Sequence, residues 1–125
     1  MKDSIKILAV DDDMINLKLL KSMLLKDNKI AEIVEASNGA DAINVLKNDS
    51  AIDIVLLDII MPIMGGIETL QVIRADQNFS NIPIIVLTTD ETKKGDSLEY
   101  GANDFIMKPV KAEDLISKIH RLVNL

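Results

Sequence analysis

The sequence predicts an α/β fold: a doubly wound sheet of five parallel strands in the order 2-1-3-4-5, with helices on both faces. Three short apolar runs, at residues 5–10, 52–57 and 84–87, each with at most one charged residue near its start, are typical of strands buried on both faces of a parallel sheet. Residues 32–36 and 104–107 are weaker strand candidates. Segments with helical spacing alternate with these runs, and right-handed crossovers between five such units favour the 2-1-3-4-5 order.

The segments that follow the predicted strands carry apolar side chains at the spacing of one helix face. The clearest is the last, whose stripe consists of Leu115, Ile116, Ile119, Leu122 and Val123. Shorter stripes follow the first three strands: Leu17, Leu20 and Leu24, then Ala42, Ile43 and Leu46, then Ile67, Leu70 and Ile73. Residues 93–100 offer only Leu98 and Tyr100 as large apolar groups, which predicts a weakly anchored fourth helix.

The composition predicts one domain, spanning residues 1–125, with an aliphatic core. Hydrophobic residues make up 48% of the chain and aromatic residues 2%, and no linker or repeat is visible. The absence of cysteine excludes disulfides and thiolate sites and fits a reducing cytoplasm. A net charge of −6 without a basic run argues against direct binding to nucleic acid. Without a signal peptide or a bilayer-length apolar stretch, we expect a soluble cytoplasmic protein that binds no membrane.

Acidic residues follow two strands that the predicted order makes neighbours. Asp11, Asp12 and Asp13 come after the first strand and Asp58 after the third, so Asp11 and Asp12 should converge on Asp58. Two carboxylates about 5 Å apart repel by about 3 kcal/mol at an effective dielectric near 20, so a cation is expected between them. Donors that are all oxygens select a hard ion, and Mg²⁺ suits a shallow acidic rim. Asp13 is expected only to cap a helix that begins near Met14.

Other strand ends place a possible nucleophile and two of its partners at the same edge of the sheet. Asp58 lies in an apolar run and is a candidate carboxylate nucleophile. Lys108 precedes Pro109, and a cis bond there would aim the ammonium group at Asp58 or at a phosphoryl oxygen. The hydroxyl of Thr88, after the fourth strand, could bond a phosphoryl oxygen in the same site.

These residues together resemble the response-regulator receiver domains of two-component signalling, which have the flavodoxin/CheY-like (βα)5 fold. The resemblance runs from about residue 5 to residue 122 and rests on five pieces of sequence in order: Val10-Asp11-Asp12, Leu57-Asp58, Met61-Pro62, Thr88 and Lys108-Pro109. It implies that Asp58 takes a phosphoryl group from a phosphohistidine on a sensor histidine kinase or a histidine-phosphotransfer protein. It also implies that Asp12, Asp58 and the Ile60 carbonyl bind Mg²⁺ directly, with Asp11 helping through water.

The same resemblance implies how the signal leaves the site. Thr88 and Lys108 would bond the phosphoryl oxygens, and the movement of Thr88 would be coupled to the rotamer of Phe105. A downstream protein would bind the face formed by the fourth helix, the fifth strand and the fifth helix. The phosphodonor would dock on the first helix, near Ile15 and Leu19. Such a domain assists its own phosphorylation and dephosphorylation, so we expect no enzyme with a separate substrate.

Three positions depart from the common pattern of such domains. Met64-Gly65-Gly66 stands where Asp-Gly is frequent, so the following helix lacks a capping carboxylate. Phe105 replaces a tyrosine and has no hydroxyl to bond. Ile60, two residues past Asp58, has no polar group to orient an attacking water, which predicts a long-lived aspartyl phosphate.

Three other functions share single features with this sequence. A phosphatase with an aspartate nucleophile would use Asp11 and Asp13 as a D-x-D pair. A flavin-binding module of the same topology would need a phosphate loop after the first strand, and an Asp triplet repels phosphate. A receiver-fold module that acts without phosphorylation would have no use for the complete set of acids.

Overall fold

A single parallel sheet organises the part of the chain that the structure describes. The structure is a computed structural model and describes residues 4–124; residues 1–3 and 125 of the predicted domain lie outside it. All strand pairs are parallel, and the order β2-β1-β3-β4-β5 confirms the prediction. The strands are β1 (Ile5–Val10), β2 (Ile30–Ala36), β3 (Ile54–Asp58), β4 (Ile84–Thr88) and β5 (Asp104–Met107).

Five α-helices connect and follow these strands, as the apolar stripes predicted. They are α1 (Met14–Leu24), α2 (Gly39–Asn48), α3 (Gly66–Ala75), α4 (Lys94–Glu99) and α5 (Ala112–Val123). A short 3₁₀ turn, Glu91–Lys93, precedes α4. Side chains cap α1 and α2, whereas the residue that precedes α3, Gly65, provides no side-chain cap, as the sequence predicted. Within residues 4–124, no helix combines the length and the apolar character that a membrane crossing requires.

The alternation of side chains along each strand builds two separate layers of core. Ile54 and Leu56 of β3 point to the face that α1 and α5 cover, and Val55 and Leu57 point to the face that α2 and α3 cover. Because side chains of a strand alternate between its faces, a central strand of this sheet has to be apolar throughout. This explains why the three strongest strand signals were runs of almost entirely apolar residues.

Two strands begin at residues other than the predicted ones, and β3 and β4 each end one residue later than predicted, at Asp58 and Thr88. β3 begins at Ile54 instead of residue 52, because the carboxylate of Asp53 accepts a hydrogen bond from the Lys6 backbone N–H at 2.8 Å and takes the place of a strand carbonyl. β2 begins at Ile30 instead of residue 32. Exposed residues at 31 and 32 hide the buried Ile30 from a search for apolar runs.

The fourth helix is short and weakly anchored, as predicted. Ser97 is its one buried residue, and Leu98 and Tyr100 remain 42% and 41% exposed. The segment after α4 is held more firmly, because Arg74 donates hydrogen bonds to the Gly101 carbonyl from both Nε and Nη2, at 3.0 and 2.7 Å. The helix is therefore fixed at its end and loosely packed along its length.

Candidate functional site

Three carboxylates converge at the carboxyl edge of the sheet. Oxygens of Asp11, Asp12 and Asp58 all lie within 4.8 Å of one another. Asp11 and Asp58 are buried, with 2% and 8% of their surface exposed, whereas Asp12 is exposed. Asp58 ends β3, and Asp11 directly follows β1, the neighbouring strand. The structure thus brings together the three acids that the strand order had placed at one edge.

The third acid of the triplet has a different role. The carboxylate of Asp13 accepts a hydrogen bond from the Ile15 N–H at 2.8 Å and caps α1. The N–H of Asp13 donates to Asp11 Oδ1 at 2.9 Å, which fixes the Asp11 carboxylate in the turn. Because Asp13 faces the helix and lies outside the acidic cluster, the geometry gives a D-x-D phosphatase no second acid at Asp11.

Lys108 supplies the positive charge of the site. Its ammonium nitrogen lies 3.2 Å from Asp11 Oδ2 and 3.6 Å from Asp58 Oδ1. The Lys108–Pro109 peptide bond is cis, and the Lys108 N–H donates to the Thr88 carbonyl at 2.8 Å. The sequence had suggested the approach to Asp58, but it gave no sign that Asp11 is the nearer partner.

The net negative charge of this cluster favours the binding of a divalent cation. Three ionised carboxylates and one ammonium group leave two negative charges in a partly buried site. Burial raises the pKa of Asp58 to about 6, the Lys108 ammonium opposes the rise, and the Asp11 carboxylate adds to it. Hydrogen bonds from the backbone of Ile59 and Ile60 also hold the pKa down. All the ligands that this cluster offers are carboxylate oxygens, and the net charge of about −2 matches the charge of a divalent ion, so the site suits Mg²⁺.

Thr88 lies in the same site and is tied to the turn that leads to α4. It is 1% exposed, and its hydroxyl oxygen accepts a hydrogen bond from the Asp90 N–H at 3.1 Å. The Asp90 carboxylate in turn accepts a bond from the Thr92 N–H at 2.9 Å and caps the 3₁₀ turn. Hydrogen bonds from Thr92 lower the pKa of Asp90. Sequence analysis missed Asp90, although an acid two residues before a threonine in a turn is a recognisable capping pattern.

A groove of about 640 Å³ gives access to these side chains. Asp58, Thr88 and Lys108 line it on one side. Its other wall comes from α1 and includes Asn16, Leu19, Leu20 and Met23. A reacting group could therefore reach Asp58 from solvent beside the first helix.

The remaining predicted residues lie at the margin of this site. Ile60 lines the groove and is 60% exposed. Phe105 is half-buried on β5, opposite Val86 of β4, and packs against the core layer under α2 and α3. Phe105 thus contacts the strand that carries Thr88 without belonging to the acidic cluster.

Comparison with known proteins identifies the family. The sequence model of the response regulator receiver domain family matches residues 7–120. Protein PilH of Pseudomonas aeruginosa is 33% identical over 120 residues, which cover 94% of this chain and 97% of PilH. The CAI-1 autoinducer sensor kinase/phosphatase CqsS of Vibrio cholerae is 36% identical over 117 residues, 91% of this chain but only 17% of CqsS.

A solved structure extends this similarity to three dimensions. The receiver domain of the sensor histidine kinase PA1611 from Pseudomonas aeruginosa, solved with a magnesium ion coordinated in its active site cleft, superimposes with a TM-score of 0.87. It is 26% identical, and the match covers 98% of this chain and 99% of that domain. The chain belongs to the response regulator receiver domain family and is a receiver domain of two-component signalling.

Proposed function

We propose that Asp58 is the phosphoacceptor of this receiver and takes its phosphoryl group from a phosphohistidine of a sensor histidine kinase or a histidine-phosphotransfer protein. The observation that carries the proposal is the convergence of the Asp11, Asp12 and Asp58 carboxylates within 4.8 Å, with Lys108 beside two of them. Carboxylates in such a cluster repel one another. A bound cation would offset this repulsion, so the cluster suits a site that binds a cation and a phosphoryl group.

For phosphoryl transfer the protein mainly has to position the reacting groups and to neutralise the charge on the phosphoryl oxygens. A carboxylate oxygen of Asp58 forms a bond to phosphorus while the phosphorus–nitrogen bond of the phosphohistidine breaks, and the electron pair stays on the imidazole nitrogen. Lys108 and Thr88 bond the phosphoryl oxygens and balance their charge. No separate substrate is turned over, so the chain acts as a phosphoacceptor that assists its own modification.

The acidic cluster is also suited to hold the metal ion of the reaction. Asp12, Asp58 and the carbonyl oxygen of Ile60 would bind Mg²⁺ directly, and Asp11 would act through water. Bound Mg²⁺ neutralises negative charge on the carboxylates and on the phosphoryl oxygens. Lys108 offsets part of the negative charge of Asp11 and Asp58, both of which are buried.

Exposed apolar residues support docking of a protein beside Asp58. Five large apolar residues on α1 and on the loop after β3 are at least half exposed, and we call this set the apolar rim: Met14, Ile15, Leu19, Ile60 and Ile63. Exposed apolar surface beside a reactive site is typical of an interface. We infer that the histidine-bearing surface of the donor packs on this rim while its phosphoryl group enters the groove.

A second exposed surface suits the output partner. Leu98 and Tyr100 at α4 and Met107 on β5 are each about 40% exposed. A movement of Thr88 toward the phosphoryl group would lengthen the bond that its hydroxyl accepts from the Asp90 N–H, and so would loosen the turn before α4. Phe105 packs beside this strand end and would change rotamer with it. We infer that a downstream protein reads this change on the face formed by α4, β5 and α5.

The proposal is tested with a small phosphodonor, which needs no cognate kinase. The protein is incubated with phosphoramidate, with and without Mg²⁺, and its intact mass is measured. We expect one phosphoryl adduct that requires Mg²⁺ and is absent from Asp58→Asn. Asp13→Asn is the matched control, because asparagine also caps helices, and this variant should be labelled like the parent. Labelling of Asp58→Asn equal to the parent would contradict the proposal.

A further inference from the structure

The loop between β3 and α3 holds an isoleucine in a conformation that suits glycine. Ile63 has φ of 67°, and within residues 4–124 the other non-glycine residue with positive φ is Asn124, at the end of α5, where asparagine is common. The Met64 N–H donates to the Pro62 carbonyl at 2.7 Å and closes a three-residue turn around Ile63. A β-branched residue is strongly disfavoured in this region of backbone space.

Packing does not explain the side chain at this position. Ile63 is 84% exposed, the highest value among the exposed large hydrophobic residues of the described chain. Its neighbours Met61 and Met64 pack against the core layer under α2 and α3, so the turn itself is anchored without Ile63. A glycine would form the same turn without strain. The isoleucine therefore carries a conformational cost and an exposure cost and makes no packing contribution to the core.

Ile63 lies close to the groove through which a protein would reach Asp58. Ile63 is three residues from Ile60, which lines the groove beside Asp58, so their Cα atoms are at most about 11 Å apart. A typical protein interface covers about 800 Å² on each partner, a disc of about 16 Å radius. A donor interface centred on the groove at Ile60 therefore reaches this loop.

We propose that Ile63 is a recognition residue that inserts into an apolar depression on the phosphohistidine-bearing protein and so selects the donor of this receiver. This inference rests on the proposed function, because it takes Asp58 as the point of transfer. A rigid turn that displays one branched apolar side chain loses little conformational entropy on binding. The turn supplies that rigidity, and the strain at Ile63 is retained where the side chain serves a partner.

The test compares a protein donor with a small donor on the same variants. The histidine kinases encoded in the same genome are phosphorylated with labelled ATP, and the phosphotransfer proteins receive the label from the phosphorylated kinases and their receiver domains. The protein that transfers fastest to the parent is the probe. Ile63→Asn removes the apolar group with a residue that tolerates positive φ. Ile63→Met keeps an apolar side chain. Leu25→Asn is the matched control, an exposed apolar residue at the far end of α1.

We expect Ile63→Asn to slow transfer from the protein donor by about tenfold at limiting receiver, since burial of an isoleucine on binding is worth at least that factor. Ile63→Met should lose much less, Leu25→Asn nothing, and phosphoramidate should label every variant like the parent. Equal transfer to Ile63→Asn and the parent would overturn the inference, and so would a parallel loss with phosphoramidate. Failure of phosphoramidate to label the parent at Asp58 would instead overturn the proposed function.

Discussion

The hydroxyl oxygen of Thr88 accepts a hydrogen bond from the backbone N–H of Asp90 at 3.1 Å. This bond joins the end of β4, in the acidic site, to the turn that precedes the weakly packed α4. The same hydroxyl keeps its own hydrogen to donate to a phosphoryl oxygen, so a movement of Thr88 toward a phosphoryl group would act on its bond to Asp90. This hydrogen bond is therefore a direct physical route by which a change in the site can reach the α4 segment.

Replacing Thr88 with valine should cut this route without removing the phosphoacceptor. Valine keeps the branched shape, but the Asp90 N–H loses its acceptor, at a cost of about 1 kcal/mol. We expect the Asp90 amide to exchange hydrogen faster in the unmodified variant and to respond little to phosphorylation. Exchange measured by mass spectrometry or NMR, with Thr89→Val as the control, tests this. A phosphorylation response in Thr88→Val as large as in the parent would contradict the route.

Replacing Lys108 with methionine should strengthen the binding of Mg²⁺. The change removes a positive charge 3.2 Å from Asp11 and 3.6 Å from Asp58, so a cation no longer competes with an ammonium group. By Coulomb's law at an effective dielectric near 20, affinity should rise by about tenfold or more. Titration calorimetry measures it, with the exposed Lys111→Met as control. Unchanged or weaker binding would mean that Lys108 does not oppose the cation.

Replacing Asp58 with asparagine should stabilise the metal-free protein at neutral pH. Because burial raises the pKa of Asp58 to about 6, the folded state binds more protons than the unfolded state between about pH 4 and pH 6. Its stability therefore falls as pH rises through this window, and above it the buried charge costs about 3 kcal/mol. Asparagine carries no such charge.

Urea unfolding in the presence of a chelator measures this effect. The free energy of unfolding of Asp58→Asn should exceed that of the parent by about 3 kcal/mol at pH 8, and the difference should shrink toward zero near pH 4. Addition of Mg²⁺ at pH 8 should stabilise the parent more than the variant, because the parent offers the complete set of carboxylates. A parent that is more stable than Asp58→Asn in chelator at pH 8 would contradict the electrostatic account.

The apolar side chain of Ile60 should give the aspartyl phosphate a long lifetime. Ile60 lies in the groove two residues past Asp58 and has no polar group to orient an attacking water. Ile60→Asn introduces such a group, so we expect faster loss of the phosphoryl group than in the parent. The decay is followed by intact mass after the phosphodonor is removed. Loss from the parent within a few seconds would count against this prediction.

Much of the fold and of the site could be predicted because each follows from a regular pattern. A sheet covered on both faces requires apolar runs such as residues 54–57, and a parallel topology gathers strand ends such as Asp11 and Asp58 at one edge. The cap at Asp13 was predictable from local sequence alone.

Other features depend on contacts between segments that are far apart in sequence. The start of β3 is set by a hydrogen bond between Asp53 and Lys6, and Lys108 pairs with Asp11 from the opposite end of the chain. Arg74 donates two hydrogen bonds to the Gly101 carbonyl in the loop after α4, and no pattern in the sequence predicts this contact. The turn at Ile63 was hidden because isoleucine is not a residue that predicts positive φ.

Chemical localisation of the phosphoryl group is the most direct measurement of the central claim. The protein is phosphorylated with phosphoramidate and Mg²⁺, reduced with borohydride, which converts an aspartyl phosphate to homoserine, and digested for peptide sequencing. We predict homoserine at position 58 and its absence when Mg²⁺ is chelated. Homoserine at position 11 or 12, or labelling at Asp58 that ignores the chelator, would contradict the account.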